Sequence, residues 1–351
     1  MPDSQEADRP LTVPFGFYLS ARQCTKPNLA QAAADAGGSI TIGSARGPAV
    51  VRRLRHSGLT CPALFDGQGY DPKSKVPPPA EWVAAQTAAG AQFTLMPGAF
   101  VDWGEANSAF GEIVSCQSEQ AADLGATVLL AVDARWVAKR SEVVIDLLQS
   151  VPGRVAVVLA DRADPLSVGG AVQSLRQLAM QLGDRLVILR TDHGAVGALA
   201  FGAAHASIGL MGSTRHYAAG PMRGGRRPTP MSRVFVPSLL DWFLADKIAG
   251  WTAAGASIAC SLPCCGGRSL ERFLDPDEDE VPHNMTALAH FAYYVLDADP
   301  LDRPSVFRQE VRKAVARYGL AGFNGPEDPK RQLTGSDATG RRYQLTGWAL
   351  V

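Results

Sequence analysis

The sequence lacks long apolar stretches, and no segment approaches the roughly 20 consecutive apolar residues of a membrane span. Its N-terminus, MPDSQEADRP, is polar and acidic where a signal peptide is basic and then apolar. Net charge is lacking too, since 34 Lys and Arg balance 34 Asp and Glu. This balance excludes a uniformly basic nucleic-acid coat and an acidic solvating protein. We therefore expect a globular cytoplasmic protein with no membrane partner.

Several cofactor motifs are missing as well. Neither GxGxxG nor GxxxxGK[ST] occurs, which argues against a dinucleotide-binding or P-loop enzyme. No CxxC motif is present, so a redox pair is a weak interpretation of the cysteines. In a reducing compartment, six cysteines are more readily free thiols or metal ligands than disulfides.

What the sequence does have is a regular alternation of apolar runs with segments of helical spacing. Near-continuous apolar runs are typical of parallel strands that helices cover on both faces. The intervening helical segments include 107–124, 168–182 and 237–253. The eight runs are 39–44, 61–66, 92–96, 127–133, 154–161, 186–192, 205–210 and 256–260.

Eight such units in about 250 residues match the count and length of an α/β fold of the closed (β/α)8 type, the TIM barrel. We predict a flexible N-terminus over 1–14, a barrel over 15–318 and a tail over 319–351. The barrel would include a metal-binding insertion at about 256–300, near its C-terminal end.

Four aspartates, Asp66, Asp133, Asp161 and Asp192, each end or follow a predicted strand. The carboxyl ends of barrel strands converge on one face, where the active sites of such barrels lie. Four carboxylates at that face therefore predict a site there. The alternative for each is a helix cap or turn, and for Asp133 and Asp161 also an ion pair with a nearby arginine.

Asp66 is the most informative of the four because it lies in FDGQGYDP. Glycines such as Gly69 let the backbone approach a ligand closely, and Gln68 offers both a donor and an acceptor. We predict that Asp66 is catalytic and that Gln68 and Gly69 bind substrate, together with Asp133 and Asp161.

Three cysteines, Cys260, Cys264 and Cys265, lie within six residues, and His290 follows 25 residues after the last. Three thiolates and one imidazole satisfy the four-coordinate requirement of structural Zn²⁺. His283 competes with His290 as the fourth ligand, and buried cysteines without metal are the alternative. The adjacent pair needs a special turn, which Pro263 and Gly266 make plausible.

No acidic residue lies between Asp192 and Asp241, whereas arginines are frequent there. Arginine suits phosphates through its planar fork of donors, so this loop can contact a polynucleotide. Solvated arginines on a surface loop are the alternative. The predicted contacts are Arg215, Arg223, Arg226 and Arg227.

Two of these patches resemble the queuine/archaeosine tRNA-guanine transglycosylase family. CPALFDGQGY is similar to the family's strand and loop that carry a catalytic Asp, and CSLPCC followed by His290 is similar to its zinc site. The spacing here is CxxxCC, where the family typically has CxCxxC. The resemblance spans most of residues 15–318, although only these two patches are specific.

The resemblance implies a zinc-containing (β/α)8 barrel that exchanges a guanine base in a nucleic acid for a 7-deazaguanine through a covalent enzyme–sugar intermediate. Asp66 would assist proton transfer to and from the bases, and the loop that holds Arg215 would contact the polynucleotide. Cys260, Cys264, Cys265 and His290 would bind zinc.

The sequence departs from the family at the nucleophile. An Asp is expected near the end of a late strand, within HASIGLMGSTRHY, and residues 205–217 contain none. Ser207 and Gly209 occupy that neighbourhood, and neither replaces a carboxylate. Either Asp192 on the preceding strand serves instead, or the chain has lost the exchange reaction.

Three hypotheses for the function result. The first is a transglycosylase-like enzyme acting on a purine or 7-deazapurine base in tRNA or DNA. The second is a degenerate barrel that serves as a nucleic-acid-binding or partner subunit, in a homodimer or with a related chain. The third is a hydrolase of small nucleosides.

Overall fold

The structure is a computed structural model that describes residues 13–25, 27–161, 164–219, 232–318 and 347–349. The chain divides into two compact units, Met1–Gly220 and Pro221–Val351. None of the helices in these described ranges is long and apolar enough to cross a bilayer.

The first unit alternates strands and helices along the chain. Its strands are β1 (Phe15–Ser20), β2 (Ser39–Gly43), β3 (Ala63–Asp66), β4 (Ala99–Val101), β5 (Val128–Asp133), β6 (Val155–Ala160), β7 (Leu186–Thr191) and β8 (His205–Gly209). Its helices are α1 (Pro27–Asp35), α2 (Gly47–His56), α3 (Pro79–Ala88), α4 (Asn107–Leu124), α5 (Ala134–Lys139), α6 (Ser141–Gln149), α7 (Ala171–Leu182), α8 (Gly194–Ala200) and α9 (Gly212–Arg215). Short 3-10 helices occupy Gln23–Thr25, Pro165–Ser167 and Gly183–Arg185.

The eight strands form one parallel sheet in the order β3-β2-β1-β8-β7-β6-β5-β4. Strands β1, β2, β5 and β6 are buried along nearly their whole length, which explains their near-continuous apolar sequences. A sheet of eight parallel strands with interspersed helices fits an α/β barrel, so the predicted class agrees with the structure at that level.

The chain between β3 and β4, the two end strands of the order, hydrogen-bonds to both sides of the sheet. The backbone N–H of Gln92 donates to Ala63 in β3 at 2.9 Å. Further along, the N–H of Thr127 donates to Thr94 at 2.8 Å, and Met96 donates to Thr127 at 2.9 Å. Residues 91–96 thus join β3 to the start of β5.

Some predicted element positions are wrong, although the count of eight strands is right. The run 256–260 is not a strand of the sheet, and its pairing is a single antiparallel bridge between Ala259 and Ser269. Two strands were missed, since β4 follows the predicted run 92–96 and β1 lies outside all predicted runs. Gly16 is required there because a Cβ would lie 2.1 Å from Ser39 Oγ.

The second unit contains an antiparallel hairpin of β9 (Arg233–Val236) and β10 (Asp241–Leu244). Three helices follow, α10 (Ala245–Ala253), α11 (Glu280–Leu296) and α12 (Arg303–Tyr318), with a 3-10 helix at Leu270–Leu274. The predicted helix over 237–253 is therefore wrong in its first half, which contains a turn and β10. This unit, Pro221–Val351, contains residues 256–300, the stretch predicted for the metal-binding region.

A chain of buried polar side chains crosses β8 and β2 in the first unit. His205 Nδ1 lies 3.0 Å from the carbonyl of Val13, so this nitrogen carries the proton and donates. Its Nε2 then accepts from the Ser207 hydroxyl at 3.0 Å, and Ser207 Oγ accepts from Thr41 at 2.6 Å. The arrangement needs a neutral imidazole, and burial lowers the pKa of His205 to about 4.

This lowered pKa predicts acid sensitivity. Because an unfolded histidine takes up its proton near pH 6.5, the stability that neutral His205 contributes is complete above that pH and is lost as the pH falls towards 4. The pKa of the histidine differs by about 2.5 between the unfolded and the folded state, which corresponds to a loss of about 3 kcal/mol of unfolding free energy. We expect His205→Gln to lose less unfolding free energy than the wild type between pH 7 and pH 4, measured by urea denaturation.

The exposed His56 on α2 provides the matched control. His56→Gln should follow the wild-type pH dependence. A His205→Gln variant that loses as much stability on acidification as the wild type would show that His205 is not the group responsible.

Candidate functional site

The four predicted aspartates all lie at the carboxyl ends of parallel strands. Asp66 and Asp133 are the last residues of β3 and β5, while Asp161 and Asp192 directly follow β6 and β7. Because the strands are parallel, these positions belong to the same edge of the sheet, where α/β proteins bind their ligands.

Asp66 is fully buried and accepts hydrogen bonds on both carboxylate oxygens. The hydroxyls of Tyr18 and Tyr70 each donate to Oδ2 at 2.6 Å. The backbone N–H of Gln68 donates to Oδ1 at 2.8 Å. Burial raises the pKa of Asp66, even though these three donors act in the opposite direction.

The hydroxyl oxygen of each tyrosine accepts a hydrogen bond from a residue whose backbone is strained. Gln68 Nε2 donates to the Tyr18 oxygen at 3.0 Å, and Arg190 Nη1 donates to the Tyr70 oxygen at 3.3 Å. Gln68 has φ 58° and Arg190 has φ 52°, both in the left-handed region. The described residues include three such non-glycine positions, and two belong to this network. Strain of this kind clusters at functional sites.

Arg190 is a residue that sequence reasoning missed. Its Nη2 donates to the carbonyl of Ser213 at 2.9 Å, and its guanidinium lies 5.3 Å from the ring centre of Tyr217 and 5.8 Å from that of Tyr18. The pairing register of β7 with β8 shifts between Ile188 and Thr191, around Arg190. The available signal was a single arginine within the apolar run 186–192.

Asp192 lies in a different environment, close to cationic and imidazole groups. Its Oδ1 accepts from the backbone N–H of His193 at 2.7 Å and lies 2.9 Å from His193 Nδ1. Its Oδ2 lies 3.7 Å from Arg215 Nη1. Although burial acts to raise it, His193 and Arg215 hold the pKa of Asp192 well below its usual range.

The two remaining aspartates have other partners. Asp133 caps α5 through the N–H of Arg135 and forms an ion pair with its guanidinium, with Nη2 2.6 Å from Oδ2. The alternative of an ion pair is thus confirmed for Asp133. Asp161 is half-buried, and its backbone N–H donates to the carbonyl of Tyr217 at 3.0 Å.

The predicted binding residues outside the strand ends are placed as follows. Gly69 approaches backbone, since a Cβ there would lie 2.7 Å from the carbonyl oxygen of Pro97. Arg215 is 3 % exposed and faces Asp192, so in this structure it is a partner of a carboxylate and not a surface contact. Arg223, Arg226 and Arg227 lie outside the described residues.

The end of β8 has no room for the carboxylate that the resemblance leads one to expect. A Cβ on Gly209 would lie 2.2 Å from the backbone of Thr214 in α9. Ser207, two residues earlier, is fully buried in the His205 hydrogen-bond chain. Neither residue can be replaced by Asp without moving α9 or breaking that chain.

The second unit brings together Cys260, Cys264, Cys265 and His283, whose ligand atoms all lie within 4.8 Å of one another. These four groups can hold a metal ion. The fourth group is therefore His283 and not the predicted His290, which is exposed on the same helix. The predicted interval between the last cysteine and the histidine was seven residues too long.

The distances among Cys264, Cys265 and His283 are close to those of tetrahedral coordination. Zn–S bonds of about 2.3 Å place two sulfurs about 3.8 Å apart, and a sulfur and a nitrogen about 3.5 Å apart. Cys264 Sγ lies 3.7 Å from Cys265 Sγ, and His283 Nδ1 lies 3.8 Å and 3.2 Å from these two sulfurs. The donor set therefore fits a tetrahedral metal ion.

The imidazole is oriented for this role by the backbone of β9. His283 Nε2 lies 2.8 Å from the carbonyl of Phe235, so Nε2 donates and Nδ1 presents its lone pair to the sulfurs. The neighbouring Asn284 pairs with β9 twice, accepting from the N–H of Phe235 at 2.7 Å and donating to Arg233 at 2.8 Å. Two adjacent residues of α11 thus fix the helix against the strand.

The loop that carries the thiols turns back on itself. Gly266 and Gly267 have φ 59° and 83°, which a side chain would strain. The N–H of Gly267 donates to Cys260 at 2.9 Å, and Cys260 donates to Arg268 at 3.2 Å. Burial and the neighbouring Cys265 thiol raise the pKa of Cys264 to about 12, so metal binding must displace protons from the thiols.

Comparison of the sequence with models of protein families and with curated proteins found no match. The function is therefore inferred from the geometry of the two sites.

The strain at Gln68 predicts an unusual order of stability. A non-glycine residue in the left-handed region costs about 1 kcal/mol, which glycine avoids. Gln68→Gly and Gln68→Ala both remove the hydrogen bond to Tyr18, but only alanine keeps the strain. We expect the glycine variant to be more stable than the alanine variant by about 1 kcal/mol in urea denaturation.

Glu119, which is exposed within α4, serves as the control, because the stability difference between its glycine and alanine variants should have the opposite sign. There the alanine variant should exceed the glycine variant by about 1 kcal/mol, because glycine is unfavourable inside helices. Equal or greater stability of Gln68→Ala would contradict the left-handed conformation at residue 68.

The cluster of three cysteines and His283 predicts that substitution of the two histidines of α11 will affect metal binding differently. We expect His283→Ala to lose metal that the wild type retains after dialysis, with affinity reduced more than the roughly 100-fold that an outer hydrogen-bond partner contributes. His290→Ala should retain one metal ion per chain. Plasma mass spectrometry of dialysed protein measures both, and retention by His283→Ala with loss by His290→Ala would reverse the assignment.

Proposed function

We propose that this chain is a transglycosylase-like enzyme that exchanges a guanine or 7-deazaguanine base in tRNA or DNA by cleaving the glycosidic bond. The observation that carries the proposal is the contrast between two aspartates at the same edge of the sheet. Burial raises the pKa of Asp66, whereas His193 and Arg215 outweigh burial and lower that of Asp192. When the pKa values of two carboxyl groups are shifted in opposite directions, one group can serve as an acid and the other as a charged stabiliser.

Glycosidic chemistry needs this combination. Departure of a purine base requires a proton on the base, and the sugar left behind develops oxocarbenium character that a carboxylate stabilises or traps. In this proposal Asp66 is the acid and Asp192 is the carboxylate. Because Asp66 has no exposed surface, its proton would pass to the hydroxyl oxygen of Tyr18 or Tyr70, and that hydroxyl would give its own proton to the base. This step reverses the hydrogen bond that the tyrosine donates to Asp66 in the structure.

The supporting residues have separate tasks in this scheme. Arg215 and His193 keep Asp192 charged, and Arg190 and Gln68 keep the two tyrosines directed at Asp66. The half-buried Asp161 and Gln68 supply polar groups to the base. The nucleic acid would contact Arg223, Arg226 and Arg227.

We further propose that the first unit is a closed (β/α)8 barrel and that the metal is zinc. Residues 91–96 would complete the ring, since their backbone bonds to both β3 and the start of β5. Three thiolates and an imidazole are a donor set typical of structural zinc, with no position left for a reacting water. The zinc would stabilise the fold of the second unit and take no part in the reaction.

One observation favours a second candidate, a catalytically inactive subunit that binds nucleic acid and acts with a second copy or a related chain. Gly209, the last residue of β8, has no space for a side chain, so this position carries no carboxylate. In this case Asp192 would only hold α9 in place through Arg215.

The two candidates differ in base exchange by the isolated chain. The zinc-loaded protein is incubated with labelled guanine or 7-deazaguanine and with tRNA, DNA or free guanosine. We expect incorporation into a polynucleotide, reduced at least about 100-fold in Asp66→Asn and Asp192→Asn because each removes an acid or a charge from the reaction.

Asp184→Asn is the matched control, because Asp184 is exposed and precedes β7 at the opposite end of the strand. It should exchange at the wild-type rate. Binding of tRNA or DNA without any exchange by the wild type would refute the enzyme and favour the subunit, while turnover of guanosine alone would indicate a small-nucleoside hydrolase.

A further inference from the structure

Arg272 contacts both the sulfur and the aromatic surroundings of the metal cluster. Its Nη2 lies 3.1 Å from Cys265 Sγ, and its guanidinium lies 3.9 Å from the centre of the Phe273 ring. The Phe273 ring is itself 5.4 Å from the imidazole of His283. The arginine side chain is only 16 % exposed, so these contacts are shielded from solvent.

The local fold brings Arg272 to this place. The left-handed glycines after Cys265 reverse the chain, and Leu270 then donates its N–H to Ile258 at 2.9 Å. The Ser269 side chain caps the 3-10 helix Leu270–Leu274 by accepting from Glu271. Residues 268–272 therefore run back beside 258–260, which returns Arg272 to the thiols.

The charge of a metal-loaded cluster explains why a cation such as Arg272 would lie beside it. A divalent ion with three thiolates and one neutral imidazole carries a net charge of −1, and Arg272 balances it. Glu278 pairs with Arg272 Nη1 and, from 3.3 Å, with Arg268. Because Arg268 is 56 % exposed, solvent screens its pair with Glu278, and Arg272 is the cation in contact with the thiols.

We infer that Arg272 is a positioning residue of the metal centre, which donates to the Cys265 thiolate, neutralises the loaded site and supports His283 through Phe273. The inference rests on the proposed metal binding and on nothing in the proposed base exchange. A charged donor that is hydrogen-bonded to a ligating sulfur orients that ligand and offsets the negative charge of the loaded site, so its loss weakens metal binding.

The test measures metal affinity in the full chain. Wild type, Arg272→Gln, Arg272→Lys and Arg268→Gln are titrated with Co²⁺ and Zn²⁺ against a chromophoric chelator. We expect Arg272→Gln to bind metal 10- to 100-fold more weakly, which is the usual effect of removing an outer hydrogen-bond partner. Arg272→Lys keeps the charge but not the planar fork, so it should fall between Arg272→Gln and the wild type.

Arg268→Gln is the matched control, because Arg268 is 56 % exposed and contacts the backbone carbonyl of Cys265 instead of its sulfur. Its affinity should stay within about threefold of the wild type. A second readout is the thiolate-to-cobalt absorption, which should shift in Arg272→Gln and not in Arg268→Gln. Circular dichroism of each variant checks that the fold is retained, and Arg272→Lys carries the test if Arg272→Gln does not fold.

The outcomes separate this inference from the proposals on which it depends. Wild-type affinity in Arg272→Gln, or an equal loss in Arg268→Gln, would overturn the role of Arg272 and leave the metal site in place. A wild-type chain that binds neither ion would overturn both the metal site and this inference. Failure of base exchange alone affects neither.

Discussion

A carboxylate without exposed surface must be compensated by hydrogen bonds, and Asp66 imposes this requirement on the carboxyl edge of the sheet. An isolated buried charge is so unfavourable that it is neutralised or surrounded by donors. Here the donors are two tyrosines and a backbone N–H, with Arg190 as the nearby positive charge. The left-handed backbone at Gln68 and Arg190 is the structural cost of directing these groups inward.

The second unit also gathers ionisable groups in a largely buried place, but these groups are thiols and not a carboxylate. Its three thiols lie close together, and burial raises the pKa values of Cys260 and Cys264. A divalent ion, once available, can replace the protons of such a cluster. In both units an arginine supplies a nearby positive charge, Arg190 for Asp66 and Arg272 for Cys265. Neither arginine forms part of a recognisable motif.

The sequence allowed prediction of features that depend on local patterns. Apolar runs located six of the eight parallel strands, and they placed Asp66 and Asp192 at strand ends. The run of cysteines likewise located three of the four groups that can hold a metal ion. Strand β1 was missed, and the reason for its Gly16 is the close approach of Ser39, which no local pattern reveals.

The errors at the sites have the same origin. His283 and His290 are one heptad apart on α11, so both occupy similar faces of the helix, and the choice depends on the carbonyl of Phe235 in β9. Arg190 lies where the register of β7 against β8 shifts, and it contacts Tyr70 and Ser213, which are far away in the sequence. Such tertiary contacts determine which of several chemically suitable residues acts, and spacing alone does not contain that information.

The placement of α9 connects the missing carboxylate of β8 with the charged one beside β7. The backbone of Thr214 lies so close to Gly209 that no side chain fits there, and the next residue, Arg215, extends to Asp192. One short helix thus excludes a carboxylate from the last strand and supplies the cation that keeps the neighbouring one ionised. Within the proposed reaction, the absence of a side chain at residue 209 and the charge on Asp192 have a single structural cause, the position of α9.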